Sequence, residues 1–294
     1  MSTLAEILSS GFLLRDALIG SVLVGLVCPL VGVYFVLRRM IFLGVALPQL
    51  SAAGIAFSFV GYRLVVGPHE HGNVSERSLA ILGSLAFTLG GLLVLTAFER
   101  RGRETVEARI GVTYAVAAAL TILFLALDPH GDAEMVNLLK GDILATTRES
   151  LTVLASVLGG VVLVLFAFRK EFLLVSFDRD LAVVFGKRAD LWDALLYLTI
   201  GATISLGVMT AGPLVTFGFL VVPPLTARVV TSRMLTFSLV AAALGGLTSF
   251  GGFYCAYRMD LPLGPAEVAL ASLALFLVGG ASLLRHGAPW SRSP

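Results

Sequence analysis

The sequence predicts an all-α fold: a single domain over residues 1–294 that forms a polytopic bundle of about nine transmembrane helices. Of its residues, 57% are hydrophobic and only 14% are charged. A soluble domain carries roughly 25% charged residues, so this chain has too few to cover a surface that faces water. A net charge of +2 gives no support to nucleic-acid binding. The composition therefore predicts a protein whose perimeter is covered by lipid.

Long charge-poor windows recur along the chain. A helix needs about 20 apolar residues to cross the hydrocarbon core of a bilayer. Windows of this kind cover residues 17–37, 41–62, 79–98, 110–127, 151–168, 191–209, 213–227, 235–257 and 266–284. The seventh is short and has the least certain boundaries. None alternates apolar and polar residues with a period of two, so the windows predict helices rather than strands.

The positions of lysine and arginine predict the orientation of the chain. The connections after the odd-numbered windows, together with the C-terminal tail, hold 15 of the 21 Lys and Arg residues, and the alternate connections hold 6. Cytoplasmic connections carry the excess of positive charge. We therefore expect the N-terminus outside and the C-terminus in the cytoplasm.

Ionisable residues are absent from the middle of every window, with Asp193 and Glu267 at window ends. A charge at the bilayer centre costs at least about 2.5–3.5 kcal/mol and is usually kept for a function such as ion coupling. The chain also lacks a GxxxxGK[ST] phosphate loop, since Gly186-Lys187-Arg188 has neither the spacing nor the hydroxyl group. The sequence therefore predicts a transport subunit that is not an enzyme, with ATP hydrolysis on a separate chain.

The longest predicted cytoplasmic segment, residues 169–190, contains a short amphipathic helix. Asp178 is placed to cap its N-terminus, and Gly186 is placed to end it. Three apolar residues at i, i+3 and i+4 spacing form one face: Leu181, Val184 and Phe185. Two interpretations are open. The apolar face lies on lipid, or it docks into a partner protein.

Four segments together resemble the permeases of ABC transporters that import zinc, manganese and iron. FDRDLAVVFGKR at 177–188 is similar to the cytoplasmic loop of that family. The segment 14–44 resembles its first span and RRM turn, LLKGDILATTRESL at 138–151 its GDIL segment, and 209–230 its glycine- and proline-containing span. The segments follow the order of the family. Asp142 fits the GDIL pattern, and its chemistry assigns it no role.

The resemblance implies partners for the chain. In that family the cytoplasmic loop docks into an ATPase subunit, which here implies contacts through Phe177, Asp178, Leu181, Ala182, Phe185 and Gly186. It further implies an extracytoplasmic substrate-binding protein, a second copy of the permease in the lipid bilayer, and a location in the plasma (inner) membrane of a prokaryote. We expect no cofactor on this chain, with ATP and Mg²⁺ bound to the partner ATPase.

One departure from the family bears on the substrate. The family carries an Asp and a His four residues apart on its second span, and here these positions are Val45 and Gln49. Val45, Pro48, Gln49 and Ser51 are our candidates for the translocation pathway. Metal passing over weak oxygen donors is one explanation, and a metal chelate or small organic solute is another. A third is that Gln49 bonds a neighbouring helix or the backbone freed by Pro48.

The predicted outer loop between windows two and three contains the triplet His69, Glu70 and His71. Two imidazoles and a carboxylate are able to gather a metal ion if the loop bends suitably, and an ordinary solvated loop is the alternative.

Two other functions for the whole chain stay open. A stand-alone channel or secondary carrier would move substrate without an ATPase, and a structural membrane protein would show no flux.

Overall fold

The computed structural model describes residues 14–66, 76–99, 106–127, 143 and 146–286. In those ranges all long elements are α-helices, which confirms the predicted fold class. The helices are α1 Arg15–Leu37, α2 Leu43–Val66, α3 Glu76–Glu99, α4 Val106–Ala126, α5 Arg148–Ala167, α6 Arg169–Phe177, α7 Arg179–Val184, α8 Ala189–Val230, α9 Met234–Met259 and α10 Leu263–His286.

Eight of the described helices are long and apolar enough to cross a membrane: α1 to α5 and α8 to α10. Each predicted window lies within one of them, apart from one or two end residues of windows 41–62, 110–127 and 151–168. The count differs from nine because windows 191–209 and 213–227 both belong to α8, whose 42 residues include a non-helical backbone conformation at Gly212 between the two windows. The orientation of the termini relative to the membrane stays a prediction.

A reversal at Gly212 explains how one element accommodates two windows. A straight helix of 42 residues would be about 63 Å long, twice the roughly 30 Å of the hydrocarbon core. Gly212 has φ 82° and ψ 166°, which is not a helical conformation. A Cβ on Gly207 would lie 3.0 Å from the side chain of Thr216, although nine residues of straight helix would separate them by about 13 Å. The chain therefore folds back at Gly212, and α8 has two arms.

Helix α1 lies largely in the interior of the bundle, and small residues let its neighbours approach closely. A Cβ on Gly245 of α9 would lie 2.0 Å from the carbonyl oxygen of Gly25. A Cβ on Gly32 would lie 1.9 Å from the carbonyl oxygen of Leu220 in the second arm of α8. Glycine permits such backbone contacts between membrane helices, where burial of apolar surface gives little drive for association.

Helices α4 and α10 lie at the periphery. Their outward side chains are large and apolar, as Val112, Ile122, Phe276 and Leu284 show. A surface of this kind is covered by lipid or by another apolar surface, because water would leave it unfavourably exposed. The bundle therefore has the perimeter expected of a membrane protein.

Candidate transport and coupling sites

Val45 and Gln49 share one face of α2. Both side chains are half-buried, whereas the intervening Ala46, Leu47 and Pro48 are buried. Residues four apart stand one above the other on a helix, so the structure brings these two pathway candidates together. In the described part of the chain, the Gln49 side chain has no hydrogen-bond partner. Its amide is thus available to a solute.

Ser51 points in another direction. It is fully buried, and its hydroxyl oxygen lies 2.6 Å from that of Ser84 on α3. The two helices meet closely here, since a Cβ on Gly54 would lie 2.3 Å from the carbonyl oxygen of Gly83. Ser51 therefore joins α2 to α3, and the structure does not bring it onto the face of Val45 and Gln49.

The outer triplet His69, Glu70 and His71, and also Asp142, lie outside the described residues. Among the residues that are described, three or more His, Cys, Asp or Glu side chains do not come together at any point where they could hold a metal ion. Cys28 is buried and Cys255 is half-buried, and both are free thiols. The described helices therefore offer weak oxygen donors rather than a strong metal site.

The predicted cytoplasmic helix is present as α7. The carboxylate of Asp178 caps it by accepting a hydrogen bond of 2.9 Å from the backbone N–H of Leu181. Gly186 follows with φ 71°, a left-handed conformation that favours glycine and ends the helix. Ala182 is buried in a small cluster with Val175 and Ala189. These contacts fix α7 against α6 and the start of α8.

The remaining apolar side chains of this segment point away from the protein. Phe177 is 68% exposed, Val184 80% and Phe185 66%, and Leu181 is also exposed. Large apolar side chains contiguous on a short, capped helix mark a surface that another apolar surface covers. The sequence-based interpretation of an unpartnered amphipathic helix is therefore confirmed. Its role in docking an ATPase stays a prediction.

An ion pair links the end of α1 to the start of α8. Arg38 donates from Nη2 to Oδ1 of Asp193 at 2.7 Å, and only 10% and 15% of the two side chains are exposed. Arg38 also donates to the hydroxyl oxygen of Ser176 on α6 at 3.1 Å and to that of Tyr197 at 3.2 Å. A single guanidinium thus connects α1, α6 and α8.

Asp193 also contacts α7. Its second oxygen lies 3.2 Å from Nε of Arg179, the first residue of α7, and Arg179 also pairs with Asp190. Sequence reasoning located Asp193 at a window end and gave it no role. The sequence offered one signal for such a role: this carboxylate lies about one helical turn after a run of basic residues, at the start of an apolar helix. In the structure, Asp193 joins α7 to the bundle together with the buried Ala182.

The burial of a second carboxylate was not predicted from the sequence. Glu267 is near the start of α10, as its place at a window end indicated, but it is fully buried between three helices. Ser21 of α1 donates to its Oε1, and the hydroxyl of Ser249 of α9 lies 2.5 Å from that of Ser21. Within the described residues, Oε2 has no hydrogen-bond partner. A Cβ on Gly252 would lie 2.5 Å from Cα of Glu267, so α9 and α10 touch there.

These features define a class of protein. They are those of a polytopic helical membrane protein with a short, anchored helix that is exposed on one side. The chain belongs to the ABC 3 transport family, whose sequence profile matches residues 11–281. The family resemblance drawn from the four segments is thereby confirmed.

Curated relatives extend over nearly the whole chain. The probable iron transport system membrane protein of Haemophilus influenzae is 28% identical over 278 residues, which is 95% of this chain and 92% of that protein. The manganese import system permease protein ScaB of Streptococcus gordonii is 26% identical over 266 residues, 90% of this chain and 89% of that protein.

Solved structures share the fold. PsaBC from Streptococcus pneumoniae in complex with Fab superimposes with a TM-score of 0.79 over 95% of each chain, at 22% identity. An inward-facing conformation of a putative metal-chelate type ABC transporter gives 0.68 at 15% identity, over 91% of this chain and 85% of that one. The bundle therefore has the fold of these two solved structures.

Proposed function

We propose that this chain is the membrane-spanning subunit of an ATP-binding cassette importer for a divalent transition metal, namely zinc, manganese or iron, or for a metal chelate. A separate ATPase subunit supplies the energy. The apolar face of α7, exposed yet fixed to the bundle through Arg179 and Asp193, is the observation that carries the proposal. Relatives named for iron and manganese transport support the choice of cargo.

The coupling step passes through charged groups at one end of the bundle. The ATPase binds α7, and its closure on ATP displaces that helix. Because Asp193 binds both Arg179 and Arg38, the displacement reaches α1 and the first arm of α8 together. Two copies of the permease and two of the ATPase form the working assembly, and an extracytoplasmic binding protein delivers the cargo to the opposite side of the plasma membrane.

The pathway face on α2 favours brief contact with the cargo. Carboxylate and imidazole bind transition metals strongly, whereas the side chains here are Val45 and Gln49. A neutral amide offers one weak oxygen ligand. Weak binding suits a conduit, because an ion held tightly would leave slowly. The substrate-binding protein then selects the metal, and this chain passes it on.

A second cargo class is favoured by the same residue. The Gln49 amide has two donors and an acceptor, and in the described part of the chain none of them is used. Such a group recognises the polar atoms of a chelator or a small organic solute better than a bare cation. A metal chelate as the cargo agrees with the names of the relatives and also offers polar atoms that this amide can bind. An organic solute without metal is the alternative.

Reconstitution into proteoliposomes distinguishes these possibilities. The permease is combined with its ATPase and its binding protein, the latter loaded with Mn²⁺, Zn²⁺, Fe or a metal chelate, and ATP hydrolysis and uptake are both measured. We expect one loaded form to stimulate both activities, and an ATPase variant unable to hydrolyse ATP to abolish uptake. Uptake by the permease without any ATPase would instead establish a stand-alone carrier. Stimulation by a metal-free solute alone would establish the organic cargo.

A further inference from the structure

A groove opens at one end of the bundle, where three membrane helices meet. Its volume is about 330 Å³, within the roughly 300–1,000 Å³ typical of sites for small ligands. Tyr34 lies near the end of α1, Leu165 near the end of α5, and Met234 is the first residue of α9. The groove therefore lies at the depth where spans end and headgroups of lipids begin.

Most of the groove wall is hydrocarbon. Leu30 and Leu165 form its buried floor, and the exposed Phe166 and Leu235 form its sides. The hydroxyl of Ser238 donates to the carbonyl oxygen of Met234 at 3.3 Å and is thus already engaged. An occupant of this wall must present apolar surface, because a fully hydrated ligand would lose water there without gaining hydrogen bonds.

Two cations lie at the mouth of the same groove. Arg169 and Lys170, the first residues of α6, line it, and both are exposed. Over the described ranges neither forms an ion pair, since the neighbouring Glu171 pairs with Lys187 at 3.5 Å instead. Positive charge at the mouth, with hydrocarbon below it, is complementary to an amphipathic anion.

We propose that this groove binds an anionic phospholipid. The phosphate group lies between Arg169 and Lys170, and one acyl chain lies along Leu30, Leu165 and Leu235. Basic pockets between membrane helices are known to favour anionic headgroups, and the attraction falls away within a Debye length. A second copy of the chain fits less well, because a self-complementary contact through this groove would bring the like charges of the two copies together.

The lipid would hold α5, α6 and α9 in a fixed relation. Its phosphate contacts the start of α6 and its acyl chain contacts α5 and α9, so that one molecule bridges all three elements. The inference requires only that the chain resides in a membrane, and it does not depend on the transported cargo or on an ATPase.

Native mass spectrometry of the delipidated protein tests the proposal. Vesicles of phosphatidylcholine, with or without phosphatidylglycerol, are added back, and the phospholipid retained by each protein is identified. We expect phosphatidylglycerol to be retained over phosphatidylcholine by roughly tenfold or more, since each cation near an anionic lipid adds favourable free energy. The double variant Arg169→Gln/Lys170→Gln should lose that preference. Arg188→Gln, which removes an exposed cation outside the groove, should keep it.

A variant that leaves the charge intact keeps the test decisive if the double variant folds poorly. Leu235→Trp fills the groove and should reduce retention of phosphatidylglycerol although both cations remain. Equal retention of the two lipids by the unaltered protein would overturn the proposal. Complete competition by glycerol phosphate would show a site for a soluble anion instead. Loss of dimers in Leu235→Trp with unchanged lipid retention would show an interface between copies, and would also overturn it.

Discussion

The carboxylate of Asp193 receives Arg38 on one oxygen, at 2.7 Å, and Arg179 on the other, at 3.2 Å. Arg38 follows α1, a largely buried helix, and Arg179 begins the exposed α7. Both contacts pass through a side chain that is mostly shielded from water. Asp193 therefore links α7 to the end of α1 through charged groups, and we predict that it transmits a movement of α7 to α1.

Replacing Asp193 with Asn should uncouple ATP hydrolysis from uptake. The neutral amide keeps the size of the side chain but cannot balance two guanidinium groups, one of which is nearly buried. Uptake in proteoliposomes should fall at least severalfold, while hydrolysis by the bound ATPase continues. Loss of the partner of a buried charge should also lower the free energy of unfolding by on the order of 3 kcal/mol. The control is Asp190→Asn, at an exposed carboxylate that also binds Arg179. If Asp193→Asn and Asp190→Asn gave the same ratio of uptake to hydrolysis, Asp193 would have no role in transmitting movement from α7 to α1.

The double variant Leu181→Asp/Phe185→Asp should fail to retain the ATPase. It places two charges on the exposed apolar face of α7 and leaves the buried Ala182 and the cap at Asp178 in place. We expect the permease to insert normally and the ATPase to be absent after affinity purification of the permease. Asp180→Asn changes an exposed residue of the same helix and should retain the ATPase. Unchanged co-purification of the double variant would assign docking to another surface.

The double variant Val45→Asp/Gln49→His should create a transition-metal site on α2. Carboxylate and imidazole at i, i+4 spacing converge on one ion, and both parent side chains already share a half-buried face. Titration of the detergent-solubilised protein with Zn²⁺ by calorimetry should show binding at least tenfold tighter than to the unaltered chain. Val45→Asp alone, which supplies one ligand, should show little gain. If the double variant binds no better than the single one, Val45 and Gln49 do not face a common space.

Replacing Glu267 with Leu should destabilise the protein by about 1–3 kcal/mol. The change leaves the buried hydroxyl groups of Ser21 and Ser249 without the carboxylate oxygen, and buried polar groups that lose a partner incur this cost. Glu267→Gln retains an oxygen acceptor and should lose less. Thermal unfolding in detergent measures both, with Glu149→Gln at an exposed site as the control. A Leu variant as stable as the control would show that the cluster contributes nothing to folding.

Labelling of single cysteines should verify the orientation. After Cys28 and Cys255 are replaced by Ala, a cysteine at Arg188 should react only with a permeant reagent in intact cells. A cysteine at Asp260, which ends α9 and is exposed, should react with an impermeant one. Opposite reactivities would invert the topology, and equal reactivity would contradict the assignment of the two arms of α8 and of α9 as three separate spans.

Local patterns predicted most of the helices. The length of each apolar segment and its lack of charged residues located every window, because both properties can be read from consecutive residues. Asp178 and Gly186 were likewise predictable, since a cap and a stop act on the backbone within a few residues. The reversal at Gly212 was less accessible. The neighbouring Pro213 indicated only an interruption, and a left-handed glycine between two apolar runs does not by itself fix the direction of the next run.

The charged and polar contacts between distant helices could not be predicted. Asp193 meets Arg38 across 155 residues, and Glu267 meets Ser21 across 246. The packing of helices determines which of these residues meet, and no short sequence pattern predicts that packing. The same holds for Ser51, whose bond to Ser84 depends on the close approach of Gly54 and Gly83. Val45 and Gln49 were predictable as a pair because their spacing alone puts them on one face.

The reversal at Gly212 has a mechanical consequence. The first arm of α8 carries Asp193, and the second arm reaches α2, where a Cβ on Gly44 would lie 3.1 Å from the side chain of Val221. No loop separates the two arms, so the connection between them has no flexible segment that could absorb a tilt of the first arm. We therefore expect a displacement of Asp193 by α7 to pass through both arms of α8 to the start of α2, the helix that carries Gln49.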